Sequence, residues 1–217
     1  MCAPVRCDRR SVSRAVETFD AIDPTAIARV ISRAEALASG YSRSAIEHRL
    51  ATGDWTRVLP RTFLTAETLT SADRLAAALT FAGRRSLLSG AAALVGELPA
   101  VAAPASVLVL VPYGTATRSN GFVRVRPTRR MPVARLTQGP RRAPVERAVA
   151  DLALETRRVD DVRTYVAQAV RRGLCSIDEL RRELASGPRN GSANLRIALD
   201  DVTDGAWSAP EALPRAR

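Results

Sequence analysis

Residues 31–64 read ISRAEALASGYSRSAIEHRLATGDWTRVLPRTFL, and the reading of the whole chain turns on them. Ser32-Arg33-Ala34-Glu35 has the S-x-x-E spacing of a capping box: Ser32 can accept from the Glu35 N–H, and Glu35 can reach back to Ser32. Ala34, Leu37 and Ala38 then share one face of a short helix, which Gly40 can end with a left-handed backbone. Ser42 is the expected N-cap of a second helix, in which Ile46 and Leu50 face the core at i, i+4 spacing. Ser44, Glu47, His48 and Ala51 point the other way, and Gly53 closes the helix. Trp55, Val58 and Phe63 anchor a hairpin that turns at Pro60-Arg61.

Two short capped helices followed by a hairpin are the sequence form of a winged helix-turn-helix, and double-stranded DNA becomes the expected partner. The second helix would enter the major groove with Ser44 and His48 nearest the base edges and Glu47 on the same face. Arg43, Arg57 and Arg61 would hold phosphates. A plain helical pair with a hairpin shows the same pattern, and Glu47 on that face would repel phosphate.

The charge distribution points to polyanions from a different part of the chain. Net charge is +11 with no lysine, so a Walker-type phosphate loop and Schiff-base chemistry are both excluded. Residues 101–145 carry eight arginines and no acid, which concentrates the surplus in one central block. Within it, Phe122-Val123-Arg124-Val125-Arg126 alternates with period two and predicts a strand with one wet, basic face. Arg118, Arg124, Arg126, Arg129 and Arg130 on that face would extend a DNA contact or bind a second, acidic partner.

The 217 residues suffice for one large or two modest domains with a core that needs no metal or disulfide. Cys2, Cys7 and Cys175 form no framework, which fits a reducing cytosol, and no second Cys/His pair completes a zinc site. The N-terminus lacks a signal-peptide core, and the apolar stretch 98–112, interrupted by prolines, is too short for a bilayer. The expectation is a cytoplasmic protein without cofactor, metal or membrane contact.

Along the chain, a basic tail (1–10) precedes a helix over 11–22, which can run on towards Val30. A helix capped by Ser71 runs to Ala82, and an alanine-rich helix covers 89–95. Val107–Val111 predicts a buried strand, 122–126 a second and 131–136 a third. Helices follow over 144–156, 160–172, 177–185 (capping box Ser176–Glu179) and 193–202. The expected class is α+β. A winged helix-turn-helix (11–68) precedes a small β-containing, mainly helical domain (69–204) and a flexible tail (205–217).

Ile31 to Leu37, Gly40, Ser42, Ile46, Leu50, Gly53, Trp55, Arg57, Val58 and Phe63 together resemble the winged-helix domain of AbiEi-type antitoxins. These are the regulator half of type IV toxin–antitoxin systems. Leu88 to Leu94 is similar to the helix that follows in such proteins, and Glu146 to Ala153 to a later helix entry with Arg147 and Asp151 as an i, i+4 pair. The resemblance runs from about 28 to 211. It implies a DNA-binding regulator that represses its own promoter, with a cognate toxin as partner and a homodimer on an inverted repeat. Chains of this layout often continue into a domain similar to very-short-patch-repair endonucleases. Ser208-Ala209-Pro210-Glu211 looks like its opening, but the metal-binding positions beyond it are absent before Arg217. This chain also departs from the family in having Pro60-Arg61, where a type I turn can still form, in place of the Gly that the wing turn usually holds, and Gly90 where relatives often carry His.

Three readings therefore stand: a DNA-binding regulator, a non-catalytic part of such an endonuclease, or a basic protein-interaction module. Catalysis is the least expected. His48 is the only His, and Asp160-Asp161 and Asp200-Asp201 are adjacent acids that diverge on helices.

Overall fold

The computed structural model describes residues 29–135 and 139–203. The expected tails, the helix over 11–22 and residue 136 of the expected third strand lie outside these residues.

The first unit is built from local signals. Strand β1 (Val30–Ser32) leads directly into α1 (Arg33–Ala38). The capping box forms: the Glu35 N–H donates to Ser32 Oγ at 3.1 Å, and the Ser32 N–H donates to Glu35 Oε2 at 2.9 Å. The Ser32 N–H first, and the Ser32 hydroxyl second, hold the Glu35 carboxyl below its ordinary range. Helix α2 (Arg43–Thr52) is capped by Ser42 and ends at Gly53, whose φ of +83° is left-handed. Strands β2 (Thr56–Leu59) and β3 (Thr62–Leu64) make the expected hairpin. The sheet is antiparallel in the order β1-β3-β2, with Val30 opposite Leu64 and Ser32 opposite Thr62.

Three local expectations need correction. Residues 29–32 end in a strand rather than a helix, because they pair with β3. On α1 the buried residue is Ala36, while Ala34, Leu37 and Ala38 are exposed; a six-residue helix lies on its partners through one contact. The hairpin turn has Pro60 followed by Arg61 at φ +60°, which is type II rather than type I.

Ala36, Ile46, Trp55 and Phe63 form a small core under α2. Trp55 stands edge-on to Tyr41 at 5.1 Å and stacks with Phe63 at 6.0 Å. The opposite side of the sheet packs on α3 (Ser71–Ala82), whose N-cap is Thr70 rather than Ser71. Leu75 to Leu79 and Ala82 are all buried, since α3 lies between this sheet and a second one.

The second sheet runs β4 (Leu87–Leu88), β5 (Val107–Pro112), β6 (Val123–Thr128). β4 pairs antiparallel and β6 parallel to β5, whose Val107–Val111 run is buried throughout, as its uninterrupted apolar character requires. Residues 131–135 form no strand and contribute one bridge, Arg135 with Arg142. The helices α4 (Ala91–Leu94), α5 (Val145–Ala153), α6 (Val159–Arg171), α7 (Ile177–Ser186) and α8 (Ala193–Thr203) complete the α+β fold. Val30, Leu59 and Leu64 of the first sheet join the same buried cluster as β5, α5 and α6. Among the described residues no helix is long and apolar enough to cross a membrane.

Candidate nucleic-acid interface

The outer face of α2 carries Arg43, Ser44, Glu47, His48 and Ala51, all exposed. Ile46 and Leu50 turn inward on the opposite side, so the face is set by helical periodicity about one buried anchor. Ser44 Oγ lies 2.9 Å from Ser42 Oγ and so belongs to the helix cap as well as the surface. Glu47 is not a bare charge. Arg33 Nη2 donates to its Oε1 at 2.9 Å, and Arg57 Nη2 stands 3.9 Å from its Oε2. Arg49 is turned towards Tyr41 and Trp55, with its guanidinium 5.2 Å and 5.7 Å from the two ring centres, and serves packing. Arg57 leans over Phe63 at 5.8 Å and remains exposed; Arg61 projects from the β2–β3 turn.

The expected basic strand face is corrected by its partners. Arg124 pairs with Glu155. Arg126 donates to Asp151 and to Glu155, each at 2.9 Å. Arg130 donates to Glu183 at 2.6 Å, and that bond raises its already high pKa. Arg135 and Arg142 both close on Glu97. The acid-free block 101–145 therefore draws its counter-charges from residues before and after it. Of the five arginines proposed for that face, Arg118 and Arg129 have no carboxylate partner among the described residues, and Arg129 stacks 4.5 Å over Tyr113.

Beneath Arg126 lies a buried polar network. Ser89 Oγ donates to Asp151 Oδ2 at 2.6 Å, and Arg147 Nε donates to the same oxygen at 2.9 Å. Ser89 and Asp151 are sealed from solvent, with no histidine near, so the network ties α5 to the loop before α4 and presents no nucleophile. The i, i+4 pairing of Arg147 with Asp151 is as the sequence suggests. Gly90 has φ +56°, which a side chain would strain, and a Cβ there would stand 3.3 Å from Leu108 Cδ2, so that Leu108 would have to give way. Among the described residues no group of three His, Cys, Asp or Glu could hold a metal ion.

A cleft of about 1100 Å³ opens between the start of α1, the Pro60–Arg61 turn, the end of α3 and the loops around 116–120 and 139–141. Arg33, Arg61, Arg84, Arg118 and Arg141 line it. Glu35 lines it too, with its carboxylate committed to capping Ser32. Gly121 places the 113–122 loop against the first sheet, 3.4 Å from the Leu59 side chain at the position of a Cβ, and so carries Arg118 to the cleft. Sequence reasoning missed Arg84 and Arg141 as site residues. Their only signal is the pairs Arg84-Arg85 and Arg141-Arg142, more than fifty positions apart.

No family model and no curated protein matches this chain. Among solved structures, it is similar to the crystal structure of the RV2827C protein from Mycobacterium tuberculosis, at 16% identity and a TM-score of 0.54, over 89% of this chain and 82% of that one. At this identity the likeness concerns the fold alone.

Proposed function

We propose that this chain is a DNA-binding transcriptional regulator whose residues 30–64 act as a winged helix-turn-helix. One observation carries the reading. The order β1-α1-α2-β2-β3, closed as an antiparallel β1-β3-β2 sheet, leaves the outer face of α2 and the β2–β3 turn exposed, with Arg57 of β2 standing 3.9 Å from Glu47 of α2. In this reading α2 lies in the major groove with Ser44 and His48 at the base edges. Arg43, Arg57 and Arg61 hold phosphates and set the register. Arg33 supports it by neutralising Glu47, the acid that would otherwise repel the backbone.

The resemblance of this stretch to AbiEi-type antitoxins extends the proposal: autorepression as a dimer on an inverted repeat, with a cognate toxin as a further partner. The alternative of an acidic protein docked on the 124–130 arginines loses its basis, since Arg124, Arg126 and Arg130 already hold carboxylates.

Fluorescence anisotropy with a labelled duplex across a salt series tests this reading. Arg57→Gln and Arg61→Gln should each weaken binding to every sequence and reduce the salt slope by about one. Arg124→Gln should leave both unchanged. Equal losses in all three variants would overturn the placement.

A further inference from the structure

Four arginines that line the cleft, Arg61, Arg84, Arg118 and Arg141, have no carboxylate partner among the described residues. This sets them apart from Arg124, Arg126, Arg130, Arg135, Arg142 and Arg147, each of which closes on Glu or Asp. The fold spends most of its acids on arginines that hold elements together and leaves this concave surface with five arginines against one acid, Glu35. Charges of one sign in a concavity focus the field and concentrate counter-ions there.

Burial, with the charge of Arg84 second, lowers the Arg141 pKa, and the Arg141 Nη2 donates to the Gly83 carbonyl at 3.3 Å. Guanidiniums gathered on one concave surface, whose one acid Glu35 is committed to the Ser32 cap, gain most from an anion with several oxygens, to which each can donate in pairs.

Part of the remaining lining is apolar, from Ala38, Pro60, Ala76, Leu79, Phe81 and Pro140, and part is uncharged polar, such as Thr80, Thr117 and Asn120. Phe81 is half-buried, with part of its ring open to the cleft. A bare inorganic anion would use the charges and waste this surface. The volume of about 1100 Å³ suits a small organic ligand rather than a single ion.

We propose that this cleft is a binding site for a small phosphorylated molecule of nucleotide size, held by Arg84 and Arg141 at its phosphates and by the apolar wall at its flat body. Arg61 and Arg118 close over the charged end from opposite walls. The site stands apart from the proposed DNA contact of α2, and its test does not depend on that contact. Because Pro60-Arg61 lines the cleft, a bound ligand would also engage the turn assigned above as a wing.

The test is calorimetric titration of the full chain with ATP, alongside adenosine and inorganic pyrophosphate as separate probes. ATP should bind one to one, more weakly as salt rises, with pyrophosphate weaker and adenosine weaker still. Arg84→Gln with Arg141→Gln should weaken ATP by about tenfold or more, while Arg172→Gln, at an exposed position outside both the cleft and the proposed DNA contact, should change it less than about twofold. Should the double variant melt early, Arg118→Gln on its exposed loop replaces it, with a weakening of roughly fivefold expected. No ATP binding at millimolar concentration would overturn the proposal, as would equal weakening by Arg172→Gln. A double variant that loses duplex DNA while the parent ignores ATP would also overturn it, and would assign the cleft to nucleic-acid backbone.

Discussion

Arg33 at the start of α1 donates to Glu47 on the outer face of α2 at 2.9 Å, and the same carboxylate faces Arg57 of β2 at 3.9 Å. One acid thus sits between arginines from the two elements that flank α2. The pairing offsets the charge that would make this face hostile to phosphate. It also keeps two guanidiniums from reaching outward fully. Glu47→Gln should therefore tighten binding to any duplex by about twofold to fivefold and steepen the salt dependence. Stability should change by less than about 1 kcal/mol, because all three side chains are well exposed. Loss of binding to one sequence alone would instead make Glu47 a reader of a cytosine amino group.

Trp55 is the anchor that joins α2 to the hairpin. It is buried between Tyr41 and Phe63 and bears Arg49 on its surface. Trp55→Ala should destabilise the fold by about 3 kcal/mol and lower the melting temperature by roughly 10 °C. Calorimetry that shows no shift would remove Trp55 from the core.

Asp151 holds three groups at once: Ser89, Arg126 and Arg147. Asp151→Asn keeps the shape but leaves Arg147 buried with a weakened partner, a loss of about 3 kcal/mol in urea unfolding. DNA binding by the folded fraction should be intact. An unchanged urea midpoint would mean that the network contributes nothing net.

The Cys175 thiol is pushed up to about 12 by burial first, with Glu146 and Glu179 adding to it. The folded state therefore keeps this proton where the unfolded chain releases it. The resulting stability is full below the ordinary thiol range and is lost as pH rises from there towards about 12. In a Cys2→Ser, Cys7→Ser background, a thiol reagent at pH near 8 should label Cys175 slowly in the native protein and quickly in urea. Rapid labelling without denaturant would contradict this burial.

What was legible in the sequence was local. The boxes at Ser32–Glu35 and Ser176–Glu179, the stop at Gly53 and the buried Val107–Val111 run each depend on neighbours within a few residues, and each forms. β1 and β4 escaped because strands of three and two residues carry no period; pairing with distant partners creates them. The charge balance of the 124–130 face escaped for a related reason. A count along the chain cannot see that Arg126 meets Asp151 or that Arg130 meets Glu183, 53 positions away. The cleft was invisible in the same way, since Arg61, Arg84, Arg118 and Arg141 converge only in three dimensions.

The central claim is that α2 reads DNA sequence. The most direct measurement titrates the purified chain into a labelled duplex from its own upstream region and into a scrambled duplex, at about 150 mM salt, with His48→Ala beside the parent. The parent should bind the upstream duplex at least about a hundredfold more tightly, and His48→Ala should lose about tenfold of that preference while its affinity for the scrambled duplex holds. Equal binding of both duplexes by the parent, collapsing together as salt rises, would contradict the claim and leave only a basic surface.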